Sequence, residues 1–203
     1  YLKTGPEIWQ QTEQGIDVLV SVCGTGGTIA GTSDYLKQQN QDIQVWLIDP
    51  DGSGIYSYLK DSEYRSSGGS FTEGIGIMRT VDNFRKAKID YAVNLPDKDL
   101  VAIAHFLAHN DGIVLGSSSA LNVAGAIRAA ATSGPGKTIV TFACDVGERS
   151  FSKLYNQKFL QEKGFPVENE SVAALFKRYR TQAMDRLLYT LDAADAEHDV
   201  DLC

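Results

Sequence analysis

The sequence predicts an α/β fold built on a parallel sheet, and three features carry that prediction. Apolar runs alternate with stretches of helical character along most of the chain. The first two runs, IDVLVSV (16–22) and QVWLIDP (44–50), are separated by a segment long enough for one crossover helix. A glycine-rich turn, SVCGTGGTIAG (21–31), joins the first run to that helix, as expected where a strand feeds a ligand-binding loop at the sheet's carboxyl edge.

The elements follow in order. Residues 6–13 read as a short helix, with Pro6 near its start and Ile8 and Trp9 behind it. Residues 16–22, 27–40 and 44–50 then form a strand, a turn plus helix, and a second strand. The stretch 51–76, rich in Gly, Ser and Tyr, has no clear period and reads as a long functional loop. After it come a helix around 82–87, a strand at YAVNL (91–95) and a helix over 97–110. A short strand GIVLG (112–116), a helix over 119–132 and a strand KTIVTFAC (137–144) complete the alternation. Beyond Gly164, residues 170–191 place Val172, Leu175, Tyr179, Met184, Leu187 and Leu188 at helical spacing, which predicts one amphipathic helix. The last twelve residues, DAADAEHDVDLC, are acidic with little to bury and are expected to fray.

Composition bounds the function. With 203 residues, 43% hydrophobic and 22% charged, the chain can bury a real core. A net charge of −7 argues against broad contact with nucleic acid or an anionic membrane, so an acidic ligand would have to be bound locally. No apolar run approaches the roughly 18 residues of a membrane span, and no signal-peptide pattern opens the chain. Three widely spaced cysteines, Cys23, Cys144 and Cys203, fit neither a zinc site nor a disulfide framework and suggest a reducing compartment. The expectation is a soluble protein of the cytoplasm, with an organelle left open. The opening YLKTGPEIWQQ has no Met and starts inside a helical pattern, as if the chain were cut from something longer.

Several motifs compete for the chemistry. A dinucleotide fingerprint would need glycines at 24, 26 and 29, but Ile29 breaks it, and Asp49 before Pro50 reads more simply as a strand-ending turn than as a ribose ligand. GPGKT (134–138) precedes a strand, whereas a phosphate loop opens a helix. His105 and His109 could chelate from one helical face, yet no third ligand is suggested, so a solvated or partly packed pair is preferred. Cys23 and Cys144, each ending a strand, read as small core residues. The segment GSSSALNVAGAI (116–127) has two readings: Ser118 or Ser119 caps the following helix, or the serines face the same crevice as the glycine turn.

Taken together, TGPEIWQQT, GTGGTIAG, EGIG, GSSSALNVAGAI and SKLYNQKFLQEKGF, in this order over residues 4–166, resemble cysteine synthase. This is a β-family enzyme of the pyridoxal-phosphate class that also holds cystathionine β-synthase. The resemblance implies the fold type II parallel sheet, present here only in part, and a cofactor-binding part over 1–166; the extra C-terminal amphipathic helix and acidic tail over 167–203 lie beyond it and rest on periodicity and composition. The resemblance also implies that Gly24, Thr25, Gly26, Gly27 and Thr28 bind the phosphate of pyridoxal 5'-phosphate, and that Ser118 hydrogen-bonds its pyridine nitrogen. Gly74, Ile75 and Gly76 match the substrate loop, and Asp145 matches an acidic residue near that serine.

The activity so implied is β-replacement, in which O-acetylserine loses acetate and gains sulfide to give L-cysteine. Condensation of serine with homocysteine and a non-catalytic binding role are the alternatives. The family's Schiff-base lysine and its substrate-carboxylate loop have no counterpart here, since Lys37, Lys86 and Lys98 sit in ordinary solvated settings. No catalytic residue is therefore assigned within these residues, and the lysine is expected in an N-terminal segment upstream. The implied partners are a small amino-acid substrate, that N-terminal segment, a second copy in a homodimer, and serine acetyltransferase.

Overall fold

Four strands form one parallel sheet in the computed structural model, which describes residues 3–79, 81–165 and 171–182. They are β1 (Val18–Val22), β2 (Gln44–Pro50), β3 (Tyr91–Leu95) and β4 (Ile139–Val140), in spatial order β3-β2-β1-β4. Every pairing is parallel, with Val18 opposite both Gln44 and Ile139 and Trp46 opposite Tyr91. The chain therefore runs outward from β1 through β2 to β3, then returns across the sheet to β4 on the other side of β1. The two directions part between β1 and β4, so the carboxyl ends of these strands are the switch point at which open α/β sheets leave a ligand crevice.

Side-chain alternation assigns the two faces. Val18, Val20, Val22, Trp46 and Ile48 point to one core, which α5 (Asp97–Asn110), α6 (Ser117–Ser133) and α8 (Val172–Thr181) cover with Leu100, Leu121, Ala124, Leu175 and Tyr179. Leu19, Val45 and Leu47 point to the other, filled by Ile29 and Leu36 of α2 (Gly27–Gln39), Ile55 and Leu59 of α3 (Ile55–Asp61) and Phe84 of α4 (Asp82–Arg85). Helix α1 (Thr4–Gln11) lies against α2, where Gly5 allows the Tyr35 side chain to come close. The strands are apolar on both faces because both faces are covered.

Helix α6 crosses the sheet on small residues. A Cβ on Gly125 would strike the Ile48 side chain and stand 3.1 Å from Val20 Cγ1, so glycine sets how closely the helix approaches. Helix α8 is pinned by a buried polar group: the Tyr179 hydroxyl donates to Asp99 Oδ2 (2.6 Å), and Arg178 pairs with Asp99 Oδ1 (2.7 Å). Arg128 of α6 donates to the carbonyls of Tyr179 and Gln182 and closes the end of α8. The predicted amphipathic helix is thus present over Val172–Thr181, while Met184, Leu187, Leu188 and the acidic tail lie outside the described residues.

Several sequence expectations need correction. The 51–76 stretch contains α3, seven residues whose Gly54 start and Ser62 end hide them among turn formers. The expected strand 112–116 reduces to one antiparallel bridge, Leu115 to Val146. The strand expected over 137–144 stops at Val140, because the Thr141 hydroxyl donates to the Val20 carbonyl (2.9 Å) and Asn122 takes the Phe142 carbonyl (2.9 Å), diverting the chain from the ladder. Cys144 is consequently exposed and is no core residue. A further helix, α7 (Gln157–Glu162), capped by Asn156 through the Phe159 N–H (3.2 Å), has no counterpart in the sequence reading.

Replacing Gly125 with Val should destabilise the fold by about 1–3 kcal/mol through overpacking against Ile48. A urea unfolding midpoint identical to that of the unaltered protein would show that α6 can lift off the sheet.

Candidate active site

The glycine turn sits at the crevice. Buried β1 ends at Val22, and Cys23 to Gly26 carry the chain into α2, whose cap residue Gly26 is left-handed (φ 75°). A Cβ there would lie 2.7 Å from the Phe84 backbone, so both torsion and space require glycine. Gly24 is required for a different reason: a Cβ would run into the carbonyl oxygen of Gly74. At Gly27 there is room, with Thr25 Oγ1 (3.8 Å) and the Asn83 amide nitrogen (3.9 Å) as the nearest groups. Thr25 and Thr28 are exposed, the first turn of α2 holds no acidic residue, and no side chain caps it. Outward amides, two hydroxyls and a positive helix end make a seat for an anion, with about 0.3–1 kcal/mol from the helix field alone.

The second wall is the start of α6. It begins at Ser117 with Gly116 as cap residue, so Ser118 and Ser119 lie in the first turn and neither side chain is a cap. Ser119 Oγ donates to the Asp145 carbonyl (3.1 Å) and accepts from the Asp145 N–H (3.1 Å). Ser118 Oγ reaches Asp145 Oδ1 at 3.4 Å, a long contact that leaves the hydroxyl available to another partner. Gly116 makes room for the Asp145 carboxylate, which would collide with any Cβ there. One turn beyond Ser118, buried Asn122 accepts from the Val22 N–H (2.7 Å) and donates to the Phe142 carbonyl (2.9 Å).

The third wall is the loop 73–76. Gly74 and Gly76 are left-handed (φ 74° and 79°), and Ile75 packs against the core on the α6 side. The Glu73 N–H donates to Ser117 Oγ at 3.4 Å. All ten residues singled out in sequence therefore fall into one connected group: Gly24 touches Gly74, Glu73 touches Ser117, and Ser118 touches Asp145. Asn122 and Asn83 were missed; an amide one turn after Ser118 on a helix of small residues was the available signal for the first.

The other candidates resolve differently. The Cys23 thiol is pushed up to about 12 by burial, then by the charge of Asp49, so it is no thiolate. Asp49 is fully buried; its Oδ2 accepts from the Tyr56 N–H (2.8 Å) at the start of α3, and its Oδ1 has no hydrogen-bond partner among the described residues. Burial raises its carboxyl to about 6, against opposing backbone and hydroxyl contacts. His105 uses Nε2 on the Leu154 carbonyl (2.8 Å) and His109 uses Nδ1 on the His105 carbonyl (2.8 Å). Lys37 is held by Asp90 (2.8 Å).

Residues 1–145 match the family described as pyridoxal-phosphate dependent enzyme. The chain belongs to this family. Its cofactor is pyridoxal phosphate, and the donor set at the crevice fits that group: an uncapped helix end with hydroxyls for a phosphate, and a serine hydroxyl across the crevice for a ring nitrogen. Cysteine synthase of Dictyostelium discoideum is 45% identical over 181 residues, covering 84% of this chain and 48% of the relative. Cysteine synthase 2 of Schizosaccharomyces pombe is 43% identical over 173 residues, covering 79% and 44%. Among solved structures, O-acetylserine sulfhydrylase isoform 3 of Entamoeba histolytica superposes with a TM-score of 0.69 at 25% identity, over 88% of this chain and 50% of that one. The O-acetylserine dependent cystathionine β-synthase of Helicobacter pylori gives 0.66 at 30% identity, over 73% and 46%. The chain thus spans about half the length of these relatives. No helix among the described residues is long and apolar enough to cross a membrane.

Because the Asp49 carboxyl is raised on folding, the folded state holds a proton more tightly than the unfolded chain between the ordinary carboxylate range and about 6. Its contribution to stability is full below that range and lost as pH rises through 6. Unfolding free energy should fall between pH 4 and 6.5 relative to Asp49→Asn. Parallel pH curves for the two proteins would contradict this.

Proposed function

We propose that these residues form the cofactor-holding part of a cysteine synthase, which makes L-cysteine and acetate from O-acetylserine and sulfide. The observation that carries the reading is the meeting of an uncapped, hydroxyl-flanked helix end, Ser118 with Asp145, and the Gly74–Gly76 loop at one crevice. The relatives named cysteine synthase, from Dictyostelium and fission yeast, support the choice of reaction.

Each residue has a role within this reading. Gly24, Gly26 and Gly27 keep side chains away from the phosphate, and the α2 amides with Thr25 and Thr28 bind it. Bound pyridoxal phosphate supplies an electron-withdrawing ring that stabilises negative charge at the substrate's α-carbon. Ser118 offers the ring nitrogen a neutral hydroxyl, which leaves that nitrogen unprotonated where a carboxylate would hold its proton. The ring is then a weaker electron sink, suited to replacement at the β-carbon. Asp145 orients Ser118, and Gly74, Ile75 and Gly76 border the substrate and limit water. The Schiff-base lysine comes from an upstream N-terminal segment, so that residues 1–166 carry the cofactor part and 167–203 append to it. A homodimer in the cytoplasm, with serine acetyltransferase as a binding partner, belongs to the same proposal. Homocysteine in place of sulfide is the second reading, favoured by the likeness to the Helicobacter structure.

The test uses the polypeptide joined to its upstream segment. It should be yellow and consume O-acetylserine only when sulfide is present; consumption with homocysteine alone would select the second reading, and a colourless, inert protein would remove both. Gly27→Asp, placed where a side chain has room, should abolish cofactor retention without unfolding the protein, because a carboxylate there repels phosphate. Ser118→Ala should stay yellow with kcat lowered by at least about tenfold. Normal turnover in that variant would refute the ring-nitrogen role.

A further inference from the structure

The loop 73–76 is held from both ends by groups outside the crevice. On its N-terminal side, Asp97 in the first turn of α5 accepts from Ser70 Oγ at Oδ1 (2.6 Å) and from the Phe71 N–H at Oδ2 (2.9 Å). Asp97 is 2% exposed, so these two bonds replace its water, and burial, only partly offset by them, holds its carboxyl above the usual range. Ser70 Oγ also bonds the Thr72 hydroxyl (2.8 Å) and accepts from the Thr72 N–H (3.1 Å), which fixes the turn into Glu73.

The Phe71 ring is wedged between Phe159, edge-on at 5.7 Å, and Phe165 at 5.8 Å. Glu73 then forms an ion pair with Lys153. Phe159, Phe165 and Lys153 all lie beyond residue 145, where the family match ends. Downstream, the Gly54 N–H (3.0 Å) and Ser53 hydroxyl (3.0 Å) both donate to the Ile77 carbonyl. The segment between these anchors is the one whose Gly74 carbonyl touches Gly24.

We propose that Asp97, Phe71 and Lys153 are positioning residues that seat the 73–76 loop against the glycine turn, and that residues 151–165 thereby set how tightly the site binds its amino-acid substrate. This rests on reading Gly74–Gly76 as the substrate loop. A loop already in its bound place pays no ordering entropy when substrate arrives, so loosening it raises KM while leaving kcat little changed. Asp97 carries the most, being buried with two charge-assisted bonds; the half-exposed Lys153 pair contributes least by itself.

The experiment uses the enzyme with its upstream segment, loaded with pyridoxal phosphate, and compares Asp97→Asn, Phe71→Leu, Lys153→Glu and the swap Lys153→Glu with Glu73→Lys. Lys137→Ala, which breaks a similarly exposed pair with Asp17, is the control. Amide exchange at residues 72–76 should quicken by about tenfold or more in Asp97→Asn and measurably in Phe71→Leu, with β1 unaffected. KM for O-acetylserine should rise by about three- to tenfold with kcat within about twofold, and the charge swap should restore what Lys153→Glu loses. Loop exchange unchanged in Asp97→Asn and Phe71→Leu, or a lowered kcat at constant KM, overturns the proposal. Should Asp97→Asn fail to fold, Phe71→Leu and the charge swap decide it. An unaltered enzyme without colour or turnover would defeat the functional reading instead, and the exchange data would still judge the clamp.

Discussion

Asn122 bridges the place where the sheet's chain direction divides. From a fully buried position on α6 it accepts the Val22 N–H at the end of β1 and donates to the Phe142 carbonyl just past β4. Those two groups would otherwise continue a strand ladder. Spent on a side chain, they stop β4 after two residues and turn 142–145 toward the start of α6, where Ser119 takes both the N–H and the carbonyl of Asp145. The distance between the glycine turn and Ser118 follows, because both are referred to one amide group. Losing it would strand buried polar groups at about 1–3 kcal/mol apiece, so the crevice is fixed by something the fold cannot cheaply give up.

What could be read in the sequence was local. The strands at 18–22 and 44–50 showed as apolar runs, and the glycine turn announced itself because each required glycine stands within three residues of the next. What could not be read depended on remote partners. KTIVTFAC has the composition of a full strand, and only the contacts of Thr141 and Asn122, made across gaps of 121 and 20 residues, show why it is not one. Nothing in the sequence marks Asp97, in the first turn of α5, because its two bonds lie 26 and 27 residues upstream. The serines of α6 are legible as a group, but the capping reading of Ser118 or Ser119 fails because Gly116 takes the cap position, which the sequence does not show.

The same distinction explains how a chain of net charge −7 can offer an anion site. No broad basic surface is needed when amides and hydroxyls converge at a helix end that lacks acidic residues in its first turn. One acid at the carboxyl edge of the sheet is kept out of the crevice by burial. Asp49 ends the neighbouring strand and is turned toward the N-terminus of α3, where the Tyr56 amide meets one of its oxygens. Its charge acts on Cys23, whose thiol stays protonated. An acid that faced the open crevice from this strand end would oppose an anion; turned inward, it accepts from the first turn of α3 instead.

Holding that loop matters because its own sequence cannot. Residues 66–76 contain four glycines and three serines, a composition that costs much entropy to order and has little apolar surface to offer in return. Phe71 and Ile75 are its large apolar side chains; each is partly buried against the core on the α6 side, Phe71 by Phe159 and Phe165 far along the chain. The glycines are nonetheless indispensable at the tip, where left-handed torsions at 74 and 76 bring a carbonyl onto Gly24 that no side chain there would tolerate. A tip that must be glycine and must also be fixed can only be fixed from outside. Asp97, Phe159, Phe165 and Lys153 supply that restraint, so the geometry of the crevice is settled as much by residues after 145 as by the turn that first draws attention to it.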